Sequence, residues 1–359
     1  MPANTTRRLL RSSLFDLLLG PHGIDRYLEL IRPDLTVRDA RAEVIAVEHP
    51  TARSVTLTLR PNAAWSGFRA GQFVRVGVEI DGVRRTRTYS PACSQHRSDG
   101  RLELTVTAHP SGLVSRHLQR RVGPGAIVHL GTAQGEFVLP EPRPRRLVLI
   151  SGGSGVTPVI SMLRTLCDEG HDDEVAFVHY ARTAAAWLYR HEVESLAARH
   201  PNIRYAFVAT RDGGRRLEFD AIRNLLPNAG RGDTTVAVCG PPQLIQAARA
   251  IWTAAPEQVL AETFTPPSLS VPRAAAQGTL RFLRSDRAAP VGPGTLLEQA
   301  EAAGLSPDFG CRMGICHTCT CRKSAGAIRN VLTGEVSAEE DEDIQLCVSV
   351  PAGDVALEI

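Results

Sequence analysis

Four cysteines crowd together at 311, 316, 319 and 321 in the stretch GCRMGICHTCTC, and another follows at 347. The spacing Cys311-x4-Cys316-x2-Cys319, with Cys347 far downstream, suits a [2Fe–2S] centre of the plant type. Three thiolates on one tight loop can wrap such a cluster while a distant strand supplies the fourth. Backbone N–H groups of the loop would donate to sulfur and tune the potential, and Gly310 and Gly314 would let the backbone come close. The alternative is structural zinc in an interaction protein without turnover. Zinc usually takes paired C-x2-C knuckles, and here one is missing. Cys321 is surplus and reads as a bystander thiol. His317 lies between two of the ligands, but histidine-ligated clusters need two histidines, so it reads as a non-ligand.

A second candidate is ISGGSGVTP, residues 150–158, which follows an apolar run and opens a helical pattern. Gly152, Gly153 and Gly155 would admit a pyrophosphate to the helix N-terminus, where N–H groups and the dipole favour anions. Thr157 can add a hydroxyl, and Pro158 suits the first turn. The next apolar run ends in Ala-Arg-Thr rather than in the Asp or Glu expected on a ribose 2′-hydroxyl. Arg182 can instead meet a 2′-phosphate, with Arg190 and Arg211 as helpers, which points to NADPH and leaves NADH as the alternative. The bland reading is that these arginines are solvated loop residues.

These groups need elements to hold them. Residues 1–40 have leucines at helical spacing up to Pro33, and predict a helical N-terminal extension. Over residues 41–142 the pattern shifts to short alternating runs such as SVTLTLRP and RLELTVTA, broken by Gly, Pro and Asn/Asp turns, which predicts an antiparallel β-barrel. From 143 to 264 buried strands such as RLVLIS and TTVAVC alternate with helical runs, the pattern of a doubly wound parallel α/β sheet. Residues 265–278, rich in Pro, Ala and Ser, read as a linker. Residues 279–359 form a third domain around the cysteine cluster.

Composition sets the outer bounds. A length of 359 residues allows several domains, and 43% hydrophobic with 22% charged residues is ordinary for a globular chain. A net charge of +3 and 5% aromatics argue against a nucleic-acid partner. No apolar run approaches the roughly 20 residues that span a bilayer. Asp16 breaks the short apolar run after Arg7, Arg8 and Arg11, so that run is not read as a leader. Clustered cysteines in a chain of this kind point to metal rather than to cross-links, and to the cytoplasm.

With these residues in view, the chain resembles the ferredoxin–NADP reductase superfamily, over about residues 41–359. It is most similar to three-domain reductases ordered as flavin barrel, nicotinamide domain and C-terminal plant-type ferredoxin domain, the last an α+β β-grasp fold. Arg87-Thr88-Tyr89-Ser90 resembles the family's R-x-Y-S flavin motif. The resemblance implies that Arg87 pairs with a flavin phosphate, Tyr89 packs on the isoalloxazine and Ser90 bonds near its N5. Gly112-Leu113-Val114-Ser115 is similar to the segment that cradles the flavin pyrophosphate, with His109 just before it. Cys239-Gly240-Pro241-Pro242 resembles the CGP motif, whose cysteine sits beside the nicotinamide. Glu262-Thr263-Phe264 is similar to a segment that returns towards the flavin. FAD is the flavin that the resemblance favours, with FMN still open.

A nicotinamide gives two electrons as hydride whereas an iron–sulfur cluster takes one, so a flavin must stand between them. The expected route runs from NADPH through FAD and a [2Fe–2S] cluster, near about −400 mV, to an external acceptor. The extension over residues 1–40 resembles those of reductases that serve membrane fatty-acyl desaturases, so a membrane desaturase or hydroxylase is the expected acceptor. A soluble ring-hydroxylating or ring-epoxidising oxygenase is the alternative. The amphipathic extension either packs on the core or makes peripheral contact with the inner face of the membrane. The acids of GEVSAEEDEDIQLC, from Glu335 to Asp343, read as a solvated acidic turn, with electrostatic docking of a basic partner as the alternative. The chain is expected to act as a monomer.

Overall fold

The computed structural model describes Thr36 and residues 39–110, 112–227, 234–253, 258–264, 277–310, 312, 314 and 317–359. The helices expected over residues 1–40 and the membrane contact assigned to them lie outside the described residues, as do Cys311, Cys316 and nearly all of the expected linker. Two compact units emerge, Met1–Phe264 and Thr265–Ile359. No helix among the described residues is long and apolar enough to cross a membrane.

The first unit begins with six strands: β1 (Arg41–Thr51), β2 (Ser54–Pro61), β3 (Val74–Ile80), β4 (Val83–Tyr89), β5 (Leu102–Thr107) and β6 (Ile127–Leu130). They pair antiparallel in the order β4-β3-β6-β1-β2-β5. A bridge between Pro91, just past β4, and Leu104 on β5 brings the two edges together, which makes the sheet a barrel. The two-residue alternation read from the sequence sends Val55, Leu57 and Leu59, and opposite them Leu102, Leu104 and Val106, into one interior. Helix α1 (Leu113–Arg120) covers part of it with Val114 and Leu118.

A parallel sheet follows in the same unit, from β7 (Arg146–Gly152), β8 (Glu174–Ala181), β9 (Ile203–Ala209), β10 (Thr235–Cys239) and β11 (Val259–Glu262). The order is β11-β10-β7-β8-β9. Helices α2 (Val156–Asp168), α3 (Arg190–Arg199), α4 (Phe219–Leu225) and α5 (Pro242–Ile251) connect the strands. On β7, Leu147 and Leu149 face one core and Val148 and Ile150 the other, all fully buried, which is why this strand reads as an unbroken apolar run. The chain builds outward from β7 to β9 on one side and restarts at β10 on the other. A crevice therefore opens at the carboxyl ends of β7 and β10. Ala70, Ala92, Phe137 and Leu139 from the barrel end join the core formed by α2.

The second unit holds β12 (Thr279–Phe282), β13 (Arg287–Pro290), β14 (Thr320–Asn330), β15 (Val336–Ser337), β16 (Glu342–Gln345) and β17 (Ser349–Leu357). β12 pairs parallel with β17 while the other pairs are antiparallel, giving a mixed sheet. Helix α6 (Leu296–Ala302) starts at Thr295, whose side chain accepts from the Glu298 N–H while the Glu298 carboxylate accepts from the Thr295 N–H. Its Leu296, Leu297 and Ala300 enter the same core as Phe282, Cys319 and Cys347. This is the α+β ferredoxin-type fold expected of the C-terminal domain.

Candidate active site

Three residues named from the sequence meet at the crevice of the parallel sheet. Gly152 ends β7, Cys239 ends β10 and Glu262 ends β11, with Cys239 in register with both Ser151 and Glu262. Gly155 is pressed against Cys239: a Cβ placed there would lie 2.3 Å from the Cys239 carbonyl oxygen and 3.0 Å from Sγ. A Cβ at Gly152 would lie 2.8 Å from Cδ of Pro241, and one at Gly240 3.1 Å from the Gly152 nitrogen. These glycines thus let two strand ends and a turn share one small volume. Gly153 differs, for it has a φ of 58° and only open space where a Cβ would stand. It is the place where a phosphate can approach the backbone. Thr157 is buried, and its hydroxyl donates back to the Ser154 carbonyl at 3.2 Å.

Burial sets the charge state here. It pushes the Cys239 thiol well above its ordinary value, with the nearby Glu262 carboxyl adding to the effect. It also raises Glu262 itself to about 8. The sulfur lies 4.0 Å from Oε2 of Glu262. At neutral pH both groups are protonated, so the crevice presents polar but uncharged groups beside the backbone turn.

The R-x-Y-S residues close β4 and run into the bridge that seals the barrel. Arg87 lies half-buried, with Nη1 donating to the Thr86 carbonyl at 2.7 Å. Thr88 pairs with Arg75 on β3, and Tyr89 packs partly buried against the barrel core. Ser90 is 2% exposed and its Oγ has no hydrogen-bond partner. A buried hydroxyl without a partner is costly and asks for a ligand atom, so the site fits a flavin. At Gly112-Leu113-Val114-Ser115 the first turn of α1 carries no acid and no side-chain cap, which leaves its N–H groups for an anion. Ser115 Oγ accepts from the exposed His109 N–H at 3.1 Å and keeps its own proton to donate.

Arg182 and Arg211 are exposed just past β8 and β9, tied together by a bond from the Arg211 N–H to the Arg182 carbonyl at 2.8 Å. Arg190 pairs with Glu194 at 2.7 Å and stands over the Trp187 ring.

In the second unit Cys319 and Cys347 are each 3% exposed, and the Gly314 N–H donates to Cys347 Sγ at 3.3 Å. A buried sulfur that accepts a backbone N–H matches what a thiolate ligand needs. Gln345 Nε2 holds the Gly314 carbonyl at 2.8 Å. Arg312 is fixed by Glu301 and lies 3.9 Å over the Phe309 ring. Arg312 and Gly314 are thereby held by Glu301 and Gln345. The Cys321 thiol donates to the Arg322 carbonyl at 3.3 Å, and burial raises it to about 11.

Comparison with known proteins decides the family. The oxidoreductase FAD-binding domain matches residues 43–139, the oxidoreductase NAD-binding domain residues 149–250 and the 2Fe-2S iron-sulfur cluster binding domain residues 283–352. An NADPH oxidoreductase of Mycobacterium tuberculosis is 37% identical over 341 residues, spanning 93% of this chain and 88% of that protein. The chain belongs to the ferredoxin–NADP reductase family. Within it, the chain is a three-domain reductase with a C-terminal ferredoxin domain, and an NAD(P)H oxidoreductase that uses FAD and a [2Fe–2S] cluster. A glycine betaine monooxygenase reductase subunit of Pseudomonas aeruginosa is 28% identical over 326 residues, 81% of this chain and 87% of that one. The solved structure of phthalate dioxygenase reductase shares the fold, with a TM-score of 0.62 at 22% identity over 89% of this chain and 97% of that chain.

When bound, FAD takes a hydride's two electrons and releases them singly, which matches a nicotinamide to an iron–sulfur cluster. The protein's own part is to hold the groups close and exclude water. Gly152 and Gly155 bring the nucleotide turn against Cys239, Glu262 keeps a proton on its carboxyl, and Ser90 presents a hydroxyl at the barrel's rim.

Proposed function

We propose that this reductase draws hydride from NADPH and delivers single electrons to a terminal oxygenase. The observation that carries the redox part is the unpartnered, buried Ser90 hydroxyl between β4 and the Pro91 bridge that seals the barrel, in a unit that also gathers Cys239 and Glu262 at its crevice. In this reading Ser90 and Cys239 touch the reacting groups. Arg87, Thr88, Tyr89 and residues 112–115 hold FAD. Gly152, Gly153, Gly155, Thr157, Gly240, Pro241 and Glu262 line the nicotinamide side, and Arg182 with Arg211 meets the 2′-phosphate. Cys311, Cys316, Cys319 and Cys347 hold the cluster. The functional division is 41–142, 143–264 and 279–359.

The acceptor is the part on which the sequence reading shifts. Relatives named as a monooxygenase reductase subunit and a dioxygenase reductase favour an oxygenase partner over a fatty-acyl desaturase. The name NADPH oxidoreductase supports the coenzyme assignment. The test is NADPH consumption coupled to product formation, with a soluble ring oxygenase component in one arm and a desaturase-bearing membrane fraction in the other. Stimulation in the soluble arm alone is expected. Turnover confined to the membrane arm reverses the assignment of the partner.

A further inference from the structure

Helix α2 begins beside Cys239, and eight residues further on it carries Arg164, whose side chain is 17% exposed. The guanidinium donates from Nε to Glu192 Oε1 at 2.6 Å and from Nη2 to Oε2 at 2.7 Å, a two-pronged pair with α3. Its remaining nitrogen, Nη1, meets the outer face of the barrel. It donates to the Ala92 carbonyl and to Glu103 Oε1 on β5, each at 2.7 Å. One turn earlier Ser161 Oγ donates to the Cys93 carbonyl at 2.7 Å, and Thr165 Oγ1 accepts from the Gln95 N–H at 3.2 Å. Positions 161, 164 and 165 share one helix face. That face therefore grips residues 92–95, which start two residues after Ser90.

One rigid element thus carries the nucleotide turn at its first residue and the exit of the flavin strand about 12 Å along, at 1.5 Å per residue. Burial opposes the charge on Arg164, but the Glu192 bonds and the Glu103 carboxylate outweigh it and hold the guanidinium charged. The planar guanidinium makes these four bonds at once, one more than the three N–H groups of an ammonium can supply, and it alone can make the two-pronged pair with Glu192.

We propose that Arg164 is a positioning residue for hydride transfer, fixing the distance between the nucleotide turn at 152–155 and Ser90 by clamping α2 to Ala92 and Glu103. The proposal rests on the assignment of those two segments to nicotinamide and flavin. Misplacement of reacting groups by about 1 Å costs on the order of a hundredfold in rate. In the purified holoenzyme, Arg164→Lys should therefore slow flavin reduction at saturating NADPH about tenfold or more, with KM little changed. The isotope effect with NADPH deuterated at the nicotinamide C4 should grow, and hydrogen exchange in the peptide 90–97 should speed up. Glu103→Gln, which leaves the Arg164–Glu192 pair in place, should give a smaller slowing in the same direction even if the lysine variant folds poorly. Unchanged reduction rates and isotope effects in both variants, whatever happens to Tm, overturn the proposal and leave Arg164 a structural clasp. A wild-type protein whose flavin NADPH does not reduce would instead refute the site assignment itself.

Discussion

Cys239 and Glu262 face each other in register on neighbouring parallel strands, with the sulfur 4.0 Å from the carboxyl oxygen Oε2. Two groups that are ordinarily an acid and a weak acid are here held together with their protons on, because burial penalises both charged forms. The crevice thus stores a proton at Glu262 and carries no negative charge there at neutral pH.

That proton has a pH cost. The folded value of about 8 lies above the ordinary value of 4.5, so between those limits the folded chain binds more protons than the unfolded one. Stability contributed by this group is therefore full below about pH 4.5, falls as pH rises towards 8, and is level beyond. Glu262→Gln should flatten that slope. Urea unfolding at pH 5, 6, 7 and 8 checks it, and an unchanged slope in the variant would place the titration elsewhere.

Removal of the fourth proposed cluster ligand separates the two units by function. Cys347→Ser leaves β17 and its neighbours able to pair but takes away the sulfur that accepts the Gly314 N–H. The variant should lose its iron and its broad visible absorption while NADPH still reduces the flavin at close to the wild-type rate. Cys321→Ser, whose thiol is turned to the Arg322 carbonyl, should keep its iron. Iron analysis of both proteins decides between the assignments.

The thiol spacing and the glycine turn after an apolar strand could be read locally because each is a short run with its own chemistry, whereas Arg87-Thr88-Tyr89-Ser90 stands out only through the family resemblance. The barrel and the parallel sheet were legible as well, since period-two alternation and unbroken apolar strands are direct marks of half-buried and fully buried sheets. What pairs across the chain was not. The 4.0 Å approach of Glu262 to Cys239 depends on the register of β11 against β10, which no local pattern encodes. Arg164 stands 61 residues from Glu103, and a single arginine on a helix carries no spacing that marks it out. The bond from the Thr157 hydroxyl to the Ser154 carbonyl and the pairing of Arg190 with Glu194 are likewise set by the folded turn and helix, not by any motif in the sequence.

Coenzyme choice can be tested at the rim of the sheet. Arg182 and Arg211 emerge side by side from β8 and β9, joined through their backbones. Loss of one charge-assisted bond to a 2′-phosphate is worth roughly 1.5–3 kcal/mol, or about ten- to a hundredfold in affinity. Arg182→Ala should raise KM for NADPH by about that factor and leave KM for NADH nearly unchanged. Equal effects on both coenzymes in steady-state assays would return Arg182 to the status of a solvated loop residue.

The two glycines of the nucleotide turn make opposite predictions from one kind of substitution. Gly153 has a φ of 58° with open space around it, so Gly153→Ala meets no neighbour and carries only the left-handed backbone penalty of about 1–2 kcal/mol. Gly155 has an ordinary helical φ of −64°, so alanine is unstrained there, but its Cβ would lie 2.3 Å from the Cys239 carbonyl oxygen and 2.6 Å from its carbon. Backbone atoms on a buried strand cannot turn aside as a side-chain end can, so the strand end or the turn must shift by several tenths of an ångström. Gly155→Ala should therefore slow flavin reduction by NADPH at least tenfold, on the scale expected for misplaced reactants, while flavin content stays at the wild-type level. Gly153→Ala, whose Cβ would stand where the phosphate approaches, should lower Tm and raise KM for NADPH, with a much smaller effect on the rate at saturating NADPH. Stopped-flow reduction and thermal melting of the two variants side by side read this out, and a Gly155→Ala protein reduced at the wild-type rate would show that Cys239 does not set the position of the nicotinamide.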